Sequence, residues 1–213
     1  MTTRFARSTK SVLVAAGFLW VFSPGGVRGA TTYHVATDGS DANDGLSWAT
    51  AKQTVAAAVG VAVDGDTVLV GDGTHVVATT WLAIDKGISL IGFNGPSAAV
   101  LKAGYAVSNE RGVLDVNHAD ALVAGFTIRD GNYKYVDVGA GVNLHAGTVS
   151  NCTITACLGV ARGAVRLWGG LMTHCQVVDN GIVAGAADRK GGGAYLTGAY
   201  EFQGAHATVL VVH

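Results

Sequence analysis

Leu122-Val-Ala-Gly-Phe-Thr-Ile-Arg-Asp130, Thr148-Val-Ser-Asn-Cys-Thr-Ile-Thr-Ala156 and Leu171-Met-Thr-His-Cys-Gln-Val-Val-Asp179 align without gaps, and this stretch decides the fold. With Phe126, Cys152 and Cys175 in register the periods are 26 and 23 residues, in the range of a solenoid. A second phrase lies between the copies: Gly141-Val-Asn-Leu144, Gly163-Ala-Val-Arg-Leu167 and Gly193-Ala-Tyr-Leu196. Each turn therefore carries at least two short strands. Period-2 alternation places Phe126 and Ile128, Cys152 and Ile154, and Cys175 and Val177 on one face, with Thr127, Thr153 and Gln176 on the other. A strand this short cannot bury its apolar face alone, so successive copies must stack in parallel at roughly 4.8 Å. The expected fold is an all-β solenoid, a right-handed parallel β-helix. A leucine-rich repeat would need a denser Leu framework, and a helical repeat would need 3.6-residue periodicity, which is missing.

Working outward, 213 residues with 49% hydrophobic and 14% charged side chains can build one sizeable core. Thirty-one glycines against two prolines fit a turn-rich β chain, and the glycines lack the three-residue period of collagen. The formal charge of −1 hides an asymmetry, because Arg4, Arg7, Lys10 and Arg28 all lie near the start. The rest carries 10 Lys/Arg against 15 Asp/Glu, a net −5, which leaves no basic patch for phosphates and excludes nucleic acid as a partner.

Residues 1–29 read as a secretory signal, with a basic start, an apolar run from Ser11 to Phe22 and small residues before Ala30. That run has 12 residues, where a spanning helix needs about 20, so export with cleavage before Ala30 is expected and no transmembrane segment afterwards. Residues 30–65 form a second unit. Thr32–Thr37 is a strand, and Asp38-Gly-Ser-Asp-Ala-Asn-Asp-Gly45 reads as a turn, since its spacing is not that of a calcium loop. Thr50-Ala-Lys-Gln53 has the pattern of a capping box before a helix in which Val55, Ala58, Val59 and Ala62 share a face. This helix is expected to cover the open end of the stack, with Trp48 packing beside it. The coils then fill residues 66–213. From Glu201 the repeat degrades, and the chain stops in what reads as a strand at Val209-Leu-Val-Val-His213, so the coil is expected to be truncated there.

Tyr33-His-Val-Ala-Thr-Asp-Gly-Ser-Asp-Ala-Asn-Asp-Gly45, Ser47-Trp-Ala-Thr-Ala51, the alanine-rich helix and Asp64-Gly-Asp-Thr-Val-Leu-Val-Gly-Asp-Gly-Thr74 together resemble the opening module of bacterial exported right-handed parallel β-helix proteins. The Asn-Cys-Thr-Ile and Gly-Gly-Gly-Ala-Tyr phrases resemble the coils of that superfamily, including polymorphic outer-membrane-protein-like and pectate-lyase-like repeats. The resemblance implies a fold more than an activity, because the same coil serves polysaccharide lyases, other glycan-active enzymes and surface adhesins.

Two functional classes follow. The first is a secreted or surface-displayed structural or adhesive protein contacting an extracellular or cell-surface polysaccharide; the second is a polysaccharide lyase or glycoside hydrolase. A lyase needs clustered carboxylates holding calcium near a base. Asp130 and Asp179 are equivalent in the repeat, but Ala156 intervenes and leaves them about 10 Å apart. Calcium is therefore not supported by spacing, and no other cofactor or metal is indicated. A glycosidase needs two carboxyls about 5–10 Å apart, for which Asp115 with Asp120, or Asp130 with Asp179, are the candidates. Asn143 stacks with Arg166, and Asn151 with His174. Arg166, Arg189 and Lys190 are the candidate contacts to an acidic glycan. Cys152 and Cys175 are expected as stacked inward thiols, with a bridge between their adjacent coils as the alternative, and Cys157 as a more exposed odd thiol at a turn.

Overall fold

The computed structural model describes residues 29–104, 110–133, 138–160, 163–182 and 193–196. The signal segment up to residue 28, the Arg189 and Lys190 candidates and the expected break at Val209–His213 lie outside the described residues.

Short β-branched runs punctuated by glycine and Asx residues wind the chain into a right-handed parallel β-helix with four sides. The first side stacks Thr32–Val35, Thr67–Val70, Ser89–Gly92, Leu122–Ala124, Thr148–Ser150 and Leu171–Thr173. Gly73–Val77, Ala99–Ala103, Thr127–Arg129, Thr153–Thr155 and Gln176–Val178 make the second. The third has the two-residue strands Glu110–Arg111, Asn132–Tyr133, Leu158–Gly159 and Gly181–Ile182, and the fourth has Leu82–Ile84, Leu114–Val116, Val142–Leu144, Val165–Leu167 and Ala194–Leu196. Among the described residues every pairing between strands is parallel except Asn132 with Arg111 and Tyr133 with Glu110.

The core is a set of ladders. Val68, Leu90, Val123, Val149 and Met172 stack along the first side, and Leu101, Ile128, Ile154 and Val177 along the second. All nine are buried, and a side chain of this size contributes about 1.5–3 kcal/mol on burial. Phe126, Cys152 and Cys175 fill the corner between these sides. Cys157 is fully buried too, which corrects the expectation of an exposed thiol. The reason is local: Ala156 adopts φ 52°, and that left-handed step swings the following residue inward. Burial pushes the Cys157 thiol up to about 12.

The described corners repeat as well. Asp130, Ala156 and Asp179 all have left-handed φ, as do Gly125, Asn151 and His174. Asp, Asn and Gly tolerate that region; Ala does so at a cost. Close packing at this corner leaves no room for a side chain at Gly92, whose Cβ would run into the Gly125 carbonyl.

Helix α1 spans Val55–Val61 and buries Val55, Ala58 and Val59 against the first coil. Its N-cap is Thr54, whose hydroxyl accepts from Ala57 N at 3.2 Å. The Thr50–Gln53 capping box is thus corrected: Thr50 ends a separate 3-10 turn, Trp48–Thr50, capped by Ser47. Lys86 Nζ donates to the carbonyls of Val59, Gly60 and Ala62 at 2.9, 3.2 and 2.9 Å and closes the other end of the helix. Trp48 does not sit under the cap. It lies on the lateral surface, edge-on to His34 and Phe93.

Polar groups of the 38–45 loop are committed to the fold. Asp41 accepts from Gln53 N, Thr54 N and Thr54 Oγ1 at 2.8–3.0 Å. Partial burial works to raise its carboxyl, yet these bonds hold it below the usual carboxylate range. Asn43 Nδ2 donates to Ala51 O at 3.0 Å, and Lys52 Nζ to Asn43 O at 2.7 Å. These bonds are those of a turn.

Candidate functional site

On the fourth side the middle residue of each strand points away from the core, since its two neighbours form the inward ladders Leu82/Leu114/Val142/Val165 and Ile84/Val116/Leu144/Leu167. The outward ladder runs Ala83, Asp115, Asn143, Arg166. An acid, an amide and a guanidinium therefore occupy three successive rungs, roughly 4.8 Å apart. Asn143 and Arg166 are buried despite facing outward. Asn143 Oδ1 accepts from Gly139 N at 2.9 Å, so the chain entering this strand folds back over it.

The rung positions just past these strands complete the cluster. His145 N donates to Val116 O at 2.8 Å and Trp168 N to Leu144 O at 2.9 Å, which stacks the two rings one rung apart. Their centroids are 4.2 Å apart and their planes 7° from parallel. His145 Nε2 lies 3.3 Å from Asp115 Oδ1, and the Arg166 guanidinium carbon sits 4.8 Å from the Trp168 ring centre. Burial pushes the Asp115 carboxyl up, an effect opposed by the nearby imidazole. The guanidinium over the indole is a cation–π contact.

Chemically, this strip offers two cationic or potentially cationic groups against one carboxylate whose ionisation is disfavoured. Such a surface suits an anionic or hydroxyl-rich ligand. The 3.3 Å Asp115–His145 contact, with a half-exposed imidazole stacked on Trp168, also has the form of an acid–base group held in one orientation.

The other candidates fall elsewhere. Asp120 is exposed in the turn leading to Leu122–Ala124, away from the outward face that carries Asp115. Asp130 lies 3.6 Å from Lys102 Nζ and 3.2 Å from Arg129 Nε through Oδ2, and its left-handed φ marks it as a corner residue. Asp179 occupies the equivalent corner two rungs away with Ala156 between. Among the described residues no group of three or more His, Cys, Asp or Glu converges as a metal site. Sequence reasoning joined Asn143 to Arg166 but missed Asp115 in the same ladder, along with His145 and Trp168. The signal was available: Leu114-Asp-Val116 has the same apolar-polar-apolar form as Val142-Asn-Leu144 and Val165-Arg-Leu167.

No family model matches the sequence, and a search of curated proteins finds no match. Among solved structures, a pectate lyase is similar to this chain at 15% identity over 74% of this chain and 50% of its own, with a TM-score of 0.43. A rhamnogalacturonan lyase is similar at 15% identity over 72% of this chain and 56% of its own, with a TM-score of 0.41. The chain spans about half the length of these structures. No helix among the described residues is long and apolar enough to cross a membrane.

Proposed function

We propose that this chain belongs to an exported or surface-displayed β-helix protein, with residues 1–29 as its signal and 30–65 as the cap of the coil at 66–213. Its role is to contact extracellular polysaccharide, in a structural or adhesive capacity. One observation carries the reading: the Asp115–His145–Trp168–Arg166 cluster on the outward face of the fourth side. Core ladders alone propagate a solenoid; a half-buried mixture of acid, imidazole, indole and guanidinium adds nothing to stacking that Thr or Ser would not supply. With His145 half-exposed at the surface and the buried Arg166 adding positive charge behind it, the preferred polymer carries carboxylates, and strength comes from repeated contacts along the face. Arg166 is the described one of the three candidate glycan contacts.

Affinity electrophoresis in gels containing polygalacturonate, alginate or a neutral glucan tests this. Retardation by the uronic-acid polymers is expected, weakened by His145→Ala and lessened by salt. Equal mobility in all gels would reject the reading. The same polymers incubated with the protein and calcium should give no new absorbance from unsaturated ends, because among the described residues no group of three or more His, Cys, Asp or Glu converges on an ion.

A second reading, a lyase or glycoside hydrolase, is favoured by the 3.3 Å Asp115–His145 contact and the raised Asp115 carboxyl. Under it, turnover would fall by orders of magnitude in His145→Ala and Asp115→Asn.

A further inference from the structure

The corner between the first and second sides, at the capped end of the coil, carries a separate open cleft of about 280 Å³ lined by Ala36, Thr37, Asp38, Trp48, Gly71, Asp72, Phe93 and Asn94. We propose that this cleft is a binding subsite for one uncharged pyranose ring.

Two aromatic rings are placed here against the ordinary tendency to bury them. Phe93 is 55% exposed and Trp48 42% exposed, and they meet edge to face with centroids 5.4 Å apart and planes 61° apart. The indole is held in place from behind. His34 packs edge-on to it at 4.7 Å, and a Cβ at Gly71 would come within 3.1 Å of its Cζ3, so the indole crosses close over that backbone. The two rings present apolar, electron-rich walls, and the axial C–H bonds of a sugar ring are polarised to meet such faces.

Across the cleft Asp72 is fixed by Asn94, whose Nδ2 donates to Oδ1 at 2.9 Å and Oδ2 at 3.1 Å. An ionised carboxylate has about four acceptor sites, so the pair orients Asp72 while leaving acceptor capacity for sugar hydroxyls. Asp72 follows the close-packed Gly71 and precedes Gly73–Val77, so its backbone is anchored by both sides of the coil.

Charge selects the ligand. Among the described residues Asp38 and Asp72 line the cleft and no Lys, Arg or His does, so a uronate would meet like charge. Volume sets the length: ~280 Å³ is at or below the smallest ligand pockets of roughly 300–1,000 Å³, which admits a single ring. This subsite stands apart from the cluster of Asp115, His145 and Arg166 in place and in charge preference, and it does not depend on the reading of that cluster.

The test uses the full chain and the indole Nε1–H resonance of Trp48, assigned by its loss in Trp48→Phe. Methyl glycosides of glucose, galactose, mannose, xylose and N-acetylglucosamine are titrated to about 100 mM, with methyl galacturonoside as the charged control. At least one uncharged glycoside should shift the Trp48 signal saturably while Trp168 stays still, and the galacturonoside should not. Phe93→Ala should weaken binding by about three- to tenfold, and Asp72→Ala by at least as much, with unmoved Trp81 and Trp168 signals reporting an intact fold. The proposal is overturned if no uncharged glycoside moves Trp48, if the galacturonoside moves Trp48 equally well, or if the Trp48 shift is indifferent to both substitutions.

Discussion

Ala156 is the informative position in the corner ladder that runs Asp130, Ala156, Asp179. It has φ 52°, a region in which an L-residue other than Gly, Asn or Asp is disfavoured by about 1–2 kcal/mol. Ala156→Asn relieves most of that without adding charge, so stabilisation of about 1 kcal/mol is expected. Ala156→Asp relieves the same strain but sets a carboxylate between two others on adjacent rungs. At roughly 5 Å in a water-like dielectric each like-charge contact costs just under about 1 kcal/mol, and Lys102 and Arg129 offset the one at Asp130. The Asp variant should therefore fall about 1 kcal/mol below the Asn variant. Calcium should then stabilise the Asp variant selectively, because the new carboxylate stands one rung, roughly 5 Å, from each neighbour and can share an ion with either, whereas the native pair, two rungs apart, cannot. Urea denaturation of the three proteins in chelator and in calcium measures all of this. Destabilisation by Asn, or an Asp variant as stable as Asn in chelator, would refute the corner geometry; calcium stabilisation of the native protein equal to that of the Asp variant would refute the broken-ladder argument.

Other perturbations probe the cap, the thiols and a buried imidazole. A chain beginning at Asp64, which lacks helix α1, should lose solubility and heat resistance relative to one beginning at Ala30, and equal behaviour in light scattering and thermal melts would remove the capping role. Cys152→Ser places a more polar hydroxyl in a largely apolar corner, where Ser150 O, 3.2 Å from the native Sγ, is its acceptor, so the cost should stay at about 1 kcal/mol; a loss of several kcal/mol in urea melts for both Cys152→Ser and Cys152→Val would count against the register. His75 is buried at the top of the second-side ladder with Nε2 3.0 Å from Gly71 O, and burial holds its imidazole below the usual value. Below about pH 6.5 the unfolded chain takes up the proton before the native one does. Stability from this group is therefore full above that pH and is lost on acidification towards the lower native pKa. His75→Leu should flatten the stability difference between pH 7.5 and 5.5, and an unchanged slope in paired denaturation curves would sink the assignment.

The parts of the fold that were legible in the sequence are those where one physical rule repeats. Phe126, Cys152 and Cys175 share a corner, and Ile128, Ile154 and Val177 share a ladder, because alternation and period agree on each copy. The third side was not legible, since strands of two residues such as Leu158–Gly159 carry no periodicity. The helix face was readable from Val55, Ala58 and Val59, but its cap was misplaced because Thr50 and Thr54 both precede apolar residues, and tertiary bonds from Asp41 decide between them. The exposure of Cys157 was misjudged for a similar reason: a left-handed alanine is invisible in composition. Asp115 escaped its ladder because 28 residues separate it from Asn143, against 23 from Asn143 to Arg166, which breaks the regular period.

That last miss indicates where function lies on a solenoid. A coil needs inward ladders of matched apolar residues and corners that tolerate left-handed φ, and both needs are met by near-identical residues from rung to rung. The outward positions of the second side are of this undemanding kind, Thr127, Thr153 and Gln176. On the fourth side the same geometrical position reads Ala83, Asp115, Asn143, Arg166, four different chemistries in succession, with His145 and Trp168 stacked beside them. Burying Asn143 and Arg166 in an outward ladder also carries a desolvation cost that an exposed Thr would avoid. Heterogeneity of this kind, which stacking does not require, is what the proposed contact with a polysaccharide would use. The Trp48–Phe93 corner breaks the repeat in the same way, by exposing aromatic rings where the coil requires none.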